Sequence, residues 1–139
     1  MIEGSCLCGG VQYRAERSSG PMAHCHCQQC RKAHGAAFSS ILPVEREGFR
    51  WTAGEARLAH FESSPGKRRW FCGDCGSQLI STRDADDETL LLRAGCIDRG
   101  HTSVGVAHGW VESMAPWYRI RDELPQFERG FPGSPSGDD

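Results

Sequence analysis

With 139 residues and a formal net charge of −2, the chain is long enough for one domain with its own core and short for two of ordinary size. Charges of both signs are interspersed without a basic cluster, which argues against nucleic acid as a partner, and no run of about 18 apolar residues is present to span a membrane. Eight cysteines follow a start that has no basic-then-apolar leader. Thiols kept reduced in the cytoplasm, free or holding metal, are therefore expected, rather than a disulfide framework.

In chain order, period-2 alternation opens at residues 10–16 (GVQYRAE), where Val11, Tyr13 and Ala15 share a face. Strands are predicted next at 36–42, 49–53, 57–62, 68–72, 77–82, 89–95 and 104–111, with turn-forming residues at 18–21, 63–67 and 84–88. Helix is confined to one or two turns after Cys27 (QQCRKAH) and a short piece around 98–103 (DRGHTS). From residue 129 onward the chain is rich in Gly, Pro and Ser, which predicts a flexible tail without chemistry and leaves residues 1–128 as a single, mainly β domain.

The cysteines carry the strongest signal. Cys-x-Cys occurs twice (CLC, CHC) and Cys-x-x-Cys twice (CQQC, CGDC). In extended chain, residues i and i+2 face the same side, so Cys6 and Cys8 can aim at one ion. The Cys72-x-x-Cys75 turn, with Gly73 and Gly76 available for tight backbone, converges two more thiolates. These four make a closed tetrathiolate of the kind that holds structural zinc, and the long separation of the pairs is only a logarithmic entropic penalty. Rubredoxin-like iron is a competitor, although such sites usually join two Cys-x-x-Cys turns.

Cys25, Cys27 and Cys30 combine both spacings through a shared Cys27. Three sulfurs with an open fourth position are the pattern of catalytic zinc. Cys96 is the competing fourth ligand, its alternative being a small buried hydrophobe. His24 and His26 would point away from the face used by Cys25 and Cys27 in extended chain, and His34 is the other histidine near in sequence.

The ordered blocks GSCLCGGV, CHCQQCRKAHGAAF, FCGDCGSQL, AGCIDRG and HGWVESMAPWYRIRDELPQFE resemble the glutathione-dependent formaldehyde-activating family, which includes centromere protein V, over residues 4 to 128. The resemblance implies an Mss4-like β-tent of small packed antiparallel sheets stapled by zinc, with few helices. It implies two zinc ions per chain, one structural at Cys6, Cys8, Cys72 and Cys75 and a second at Cys25, Cys27 and Cys30. It further implies carbon–sulfur lyase chemistry that joins a small thiol, glutathione, to an aldehyde, formaldehyde, as S-hydroxymethylglutathione. The family usually carries a non-cysteine residue, often Thr or Ser, where this chain has Cys96, so the fourth position of the second site is the point of departure.

A three-thiolate zinc centre is electron-rich and suits a fourth sulfur better than it suits water, and coordination deprotonates a thiol at neutral pH. His26, His34 and His108 are candidate proton donors, Arg31 and Lys32 candidate contacts for a substrate carboxylate, and Trp110 and Trp117 are expected in the core or at its edge. Two rivals remain on the sequence: a non-catalytic zinc module with two structural sites that binds a protein partner, and a thiol reductase using Cys96, since methionine sulfoxide reductases of the B type have a similar fold.

Overall fold

The computed structural model describes residues 1–100 and 104–132. Among the described residues, eleven strands and one α-helix follow in the order β1 (Ile2–Ser5), β2 (Gln12–Ala15), β3 (Met22–Cys25), α1 (Gln28–His34), β4 (Ser39–Glu45), β5 (Phe49–Ala53), β6 (Leu58–Ser64), β7 (Lys67–Cys72), β8 (Gln78–Arg83), β9 (Asp86–Arg93), β10 (Ile97–Arg99) and β11 (Gly105–Gly109). The mainly β expectation holds. Contacts divide the chain into two compact units. One comprises residues 1–20 and 42–100, the other residues 21–41 and 104–132, within the described ranges.

In the first unit, β10, β1, β2 and β5 neighbour one another in that order. The β1–β2 register sets Ile2 opposite Ala15 and Gly4 opposite Tyr13. Ile2, Tyr13 and Ala15 are all buried, which is the inward half of a period-2 pattern. Tyr13 stacks on Phe49 at 5.4 Å and meets Trp51 edge-on at 6.1 Å. A side chain at position 4 would begin 2.3 Å from the Tyr13 ring, so glycine is required there. The end of β4 and the antiparallel strands β9, β8, β7 and β6 neighbour one another in that order in the same unit, with Leu79, Ile80, Leu90 and Leu92 buried. Ile80 and Leu92 are cross-strand partners.

In the second unit, β3 lies between β11, which runs parallel to it, and the start of β4, which runs antiparallel. Cys25 is thereby opposite Gly109 on one side and Ser39 on the other. After β11 the chain returns beside it: His108 N–H donates to the Pro125 carbonyl at 2.9 Å, and Phe127 N–H to the His108 carbonyl at 2.8 Å. Helix α1 starts and stops on local signals. The Cys27 sulfur caps its N-terminus, and Gly35 closes it in the left-handed region at φ 59°, where a residue without Cβ is favoured.

Several expectations differ from this arrangement. The inward positions of strands β1 and β3 include Gly4 and Cys25 in place of large apolar side chains, so neither strand stands out in the sequence. The turn expected at 84–88 is confined to Asp84 and Ala85, so β9 begins at Asp86. The helical piece around 98–103 begins as strand, because Ile97–Arg99 pairs with β1; residues 101–103 lie outside the described residues. At the start of the stretch expected as a tail, Arg129 pairs with Glu112 at 3.2 Å, and the Phe131 ring is what a Cβ on Gly109 would strike at 2.5 Å. Residues 133–139 lie outside the described range.

Candidate metal centres

The N-terminal Cys-x-Cys pair follows β1, and the Cys-x-x-Cys pair begins at the last residue of β7, so strand ends present all four sulfurs of the first cluster. The sulfurs of Cys6, Cys8, Cys72 and Cys75 lie within 4.8 Å of one another. Cys6 and Cys8 are 3.5 Å apart and Cys8 and Cys72 3.9 Å apart. Four sulfurs about 2.3 Å from one tetrahedral ion would be separated by roughly 3.8 Å, so this donor set fits a zinc-sized ion. Backbone N–H groups point at the cluster: Val11 to the Cys6 sulfur at 3.3 Å and Cys8 to the Cys75 sulfur at 3.5 Å. The Ser77 hydroxyl and N–H hold the Cys75 thiol down to about 5, which favours the thiolate a metal needs.

The second cluster is built by β3 and the turn into α1. Cys25 ends the strand, Cys27 caps the helix and Cys30 occupies its first turn. The three sulfurs lie within 4.8 Å of one another. All three residues are buried, and Trp110 and Phe131 pack against them. Cys30 N–H donates to the Cys27 sulfur at 3.3 Å, so the helix cap also orients a donor atom. Within this unit, among the described residues, no fourth Cys, His or carboxylate joins the set. An all-sulfur trio in an apolar setting fits zinc as well, with a coordination position left for another ligand.

Cys96 belongs to the first unit. Its thiol donates to the Gln78 carbonyl at 3.2 Å. Burial pushes it up to about 11, with the negative charges of Cys6, Asp98 and Cys75 adding to the effect. It is a protonated thiol beside the first cluster's sulfurs, with a carbonyl as its hydrogen-bond acceptor.

The histidines assemble where the sequence offered only candidates. His26 is fully buried, and its Nε2 lies 2.8 Å from His108 Nδ1. His108 Nε2 in turn lies 3.0 and 3.2 Å from the Asp122 carboxylate oxygens. His24 Nδ1 meets the Ser40 hydroxyl at 2.9 Å, and its ring packs on Phe38 at 4.8 Å. Burial, then the neighbouring His108 and His24, push His26 down to about 4, so it is a neutral ring at pH 7. The His108 contact holds the Asp122 carboxyl below its ordinary range.

Among the other predicted residues, Arg31 donates to the Ser113 carbonyl at 2.7 Å, Lys32 is exposed and His34 is half-buried on α1. Trp110 packs on the cysteines with its backbone in the left-handed region at φ 59°. Trp117 is 70% exposed, against its expected place in the core. Sequence reasoning missed Asp122, Phe38, Tyr118 and Phe131: the first three lie inside the quoted blocks but carry no spacing that marks them, and Phe131 lies beyond those blocks.

The sequence profile described as glutathione-dependent formaldehyde-activating enzyme matches residues 1–113. The chain belongs to this family. A Fusarium vanettenii relative, provisionally assigned as such an enzyme, is 28% identical over 81% of this chain and 63% of its own length. A Podospora anserina relative with the same provisional assignment is 28% identical over 77% of this chain and 49% of its own. The chain thus spans less than two thirds of the length of both curated relatives. A crystal structure of a Rhodobacter sphaeroides protein shares the fold, with a TM-score of 0.59 and 19% identity over 71% of this chain and 90% of that one. Family members of this kind are named for activating formaldehyde, and the two cysteine groups here could hold metal ions. Among the described residues, no helix is long and apolar enough to cross a membrane.

Proposed function

We propose that the chain is a zinc-dependent carbon–sulfur lyase that forms or cleaves an adduct between a small thiol such as glutathione and an aldehyde such as formaldehyde. One observation carries the reading: three buried sulfurs from Cys25, Cys27 and Cys30 converge, and no fourth protein donor joins them among the described residues of their unit. In this reading those three residues hold the second ion and Cys6, Cys8, Cys72 and Cys75 hold a structural one. The bound ion would supply a position at which a thiol is retained as its thiolate.

The chain's own residues do the remaining work. Trp110 and Phe131 cover the cysteines and keep water from the sulfur donors, which protects a reactive thiolate from side reactions. Cys30 N–H, donated to the Cys27 sulfur, fixes that donor in place. The overall chemistry is addition of the thiol sulfur to the aldehyde carbon with a proton delivered to the carbonyl oxygen, or the reverse. Holding both partners in one site supplies part of the rate through orientation. Cys96, a raised-pKa thiol bonded to the Gln78 carbonyl beside the first cluster, lacks the thiolate character that the reductase alternative demands.

The test loads the chain with Co2+ in place of zinc and follows its absorption while glutathione is added. A change in the sulfur-to-metal bands that is present in wild type and absent in Cys27→Ser is the expected result. Two tightly held ions whose spectra ignore glutathione would remove the mechanism.

A further inference from the structure

In the first unit the run of strands β9, β8, β7 and β6 ends at β6, which among the described residues has no further strand on its outer side. An edge of this kind presents a row of backbone donors and acceptors, and proteins usually blunt it with proline, lysine, a bulge or a covering segment. Residues 58–62 (LAHFE) contain neither proline nor lysine, and the register shifts only after Glu62. His60, Phe61 and Glu62 are all exposed, Phe61 by 67%.

Bonds at the end of β7 fix which way each residue of β6 presents its backbone. Gly73 N–H donates to the Arg57 carbonyl at 2.8 Å, whereas Cys72 N–H turns the other way, to the Ser77 carbonyl at 3.1 Å. Leu58 lies opposite Cys72, and the register continues unbroken to Glu62 opposite Arg68. Facing residues of an antiparallel pair alternate between exchanging both bonds and exchanging none. Ala59 and Phe61 therefore bond to β7, and the N–H and C=O groups of Leu58, His60 and Glu62 point to the open side.

The side chains of this edge are complementary to themselves. A second copy laid antiparallel, with Phe61 on the two-fold axis, sets Phe61 against Phe61 and His60 against Glu62 twice over. His60 and Glu62 then exchange ladder bonds through their outward groups, and the two Phe61 residues take the closer, non-hydrogen-bonded position, with Cα atoms about 4.5 Å apart. Both polar partners are held in place beforehand. Glu62 Oε2 accepts from Gly66 N–H at 3.2 Å and Oε1 lies 4.0 Å from the Arg68 guanidinium, while the His60 ring rests on Trp70 with centroids 4.4 Å apart. Moving the axis to His60 would set histidine on histidine and Leu58 on a carboxylate, which loses both matches.

We propose that β6 is a self-association edge, at which two copies of the chain pair β6 with β6, antiparallel about Phe61, through ladder bonds from His60 and Glu62. A single strand pair buries less than the roughly 1,200 Å² of a stable complex, so the dimer is a weak one that forms at high local concentration. The pairing is independent of the cysteine clusters and of the function proposed above.

Sedimentation velocity of the zinc-loaded full chain, from about 5 μM to about 1 mM, is expected to show a monomer–dimer equilibrium with a Kd on the order of 100 μM. Phe61→Lys brings two cations together on the axis and should raise that Kd at least about tenfold, with circular dichroism unchanged because the side chain is 67% exposed. His60→Glu places carboxylate against carboxylate and should weaken the dimer, and adding Glu62→Lys to it should restore association. Amide hydrogen exchange at His60 and Glu62 should slow as concentration rises, while Phe61, already bonded to β7, changes little. A chain that stays monomeric at about 1 mM overturns the proposal, as does a dimer that Phe61→Lys leaves intact or whose concentration-dependent protection falls outside β6. A double variant that associates no better than His60→Glu overturns the register about Phe61.

Discussion

The two cysteine clusters are made of the same donor atoms and are built in opposite ways. The first joins pairs 64 residues apart in sequence, as between Cys8 and Cys72, and sits near solvent, with Cys8 exposed and Leu7 86% exposed between its first two ligands. The second draws its sulfurs from one strand end and one helical turn, all buried under Trp110 and Phe131. The contrast teaches that ligand count and burial answer different questions. Four donors gathered from distant parts of the chain suit a clasp on the fold. Three donors from one short stretch, covered by aromatic rings, suit the proposed pocket floor.

The largest effect that would break this contrast comes from Cys72→Ser. Structural zinc contributes roughly 10 kcal/mol or more to folding in small domains. One metal equivalent and most of the cooperative thermal transition should therefore disappear together, read by metal analysis and a melting curve. A transition within a few degrees of wild type would mean the first cluster is no clasp. Cys27→Ser should also lose one metal equivalent but keep its far-UV circular dichroism, because serine is a good helix N-cap and preserves the start of α1. The response to thiols should vanish in that variant.

Gly109→Ala sharpens the picture of the cover. Its Cβ would begin 2.5 Å from the Phe131 ring, so the ring must move, at about 1–3 kcal/mol. Metal release to a chelator should quicken for the second equivalent and not the first. A pH-dependent difference is expected between wild type and His26→Gln. His26 is held down to about 4 in the fold, whereas a histidine in the unfolded chain titrates near ~6.5. Between those values the unfolded chain binds the extra proton, so wild-type stability is full above pH ~6.5 and falls as the pH drops toward ~4. The glutamine variant should lack that slope in urea unfolding at pH 7.5 and about 5.5. Smallest of all, Leu7→Ser should shift stability by no more than about 0.5 kcal/mol, since the side chain is 86% exposed.

The grouping of the cysteines was legible in the sequence because Cys-x-Cys and Cys-x-x-Cys are local geometries: strand alternation and a tight turn bring sulfurs together over two or three residues. The long middle strands β6 to β8 were legible for the same reason, as runs of six or seven residues that carry their own period. Strand β3 was hidden because its inward residues, Ala23 and Cys25, look like a small residue and a metal ligand rather than an apolar alternation. Asp122 and Phe131 were hidden more deeply. They lie in a stretch without periodicity, and only its backbone bonds to β11, through Pro125 and Phe127, bring that stretch to His108 and Gly109. The two contact units are a division that no change in composition marks.

The spacing of the ligands also sets a timetable. On a growing polypeptide, Cys25, Cys27 and Cys30 leave the ribosome together and can grip an ion across a few residues, whereas Cys6 and Cys8 must wait for Cys72 and Cys75 to be made. On the proposed reading, metal delivered during synthesis would reach the trio first and the four-cysteine cluster last, while the aromatic cover contributed by Trp110 and Phe131 arrives later still. A newborn chain would then pass through a stage in which the second ion is loaded and uncovered.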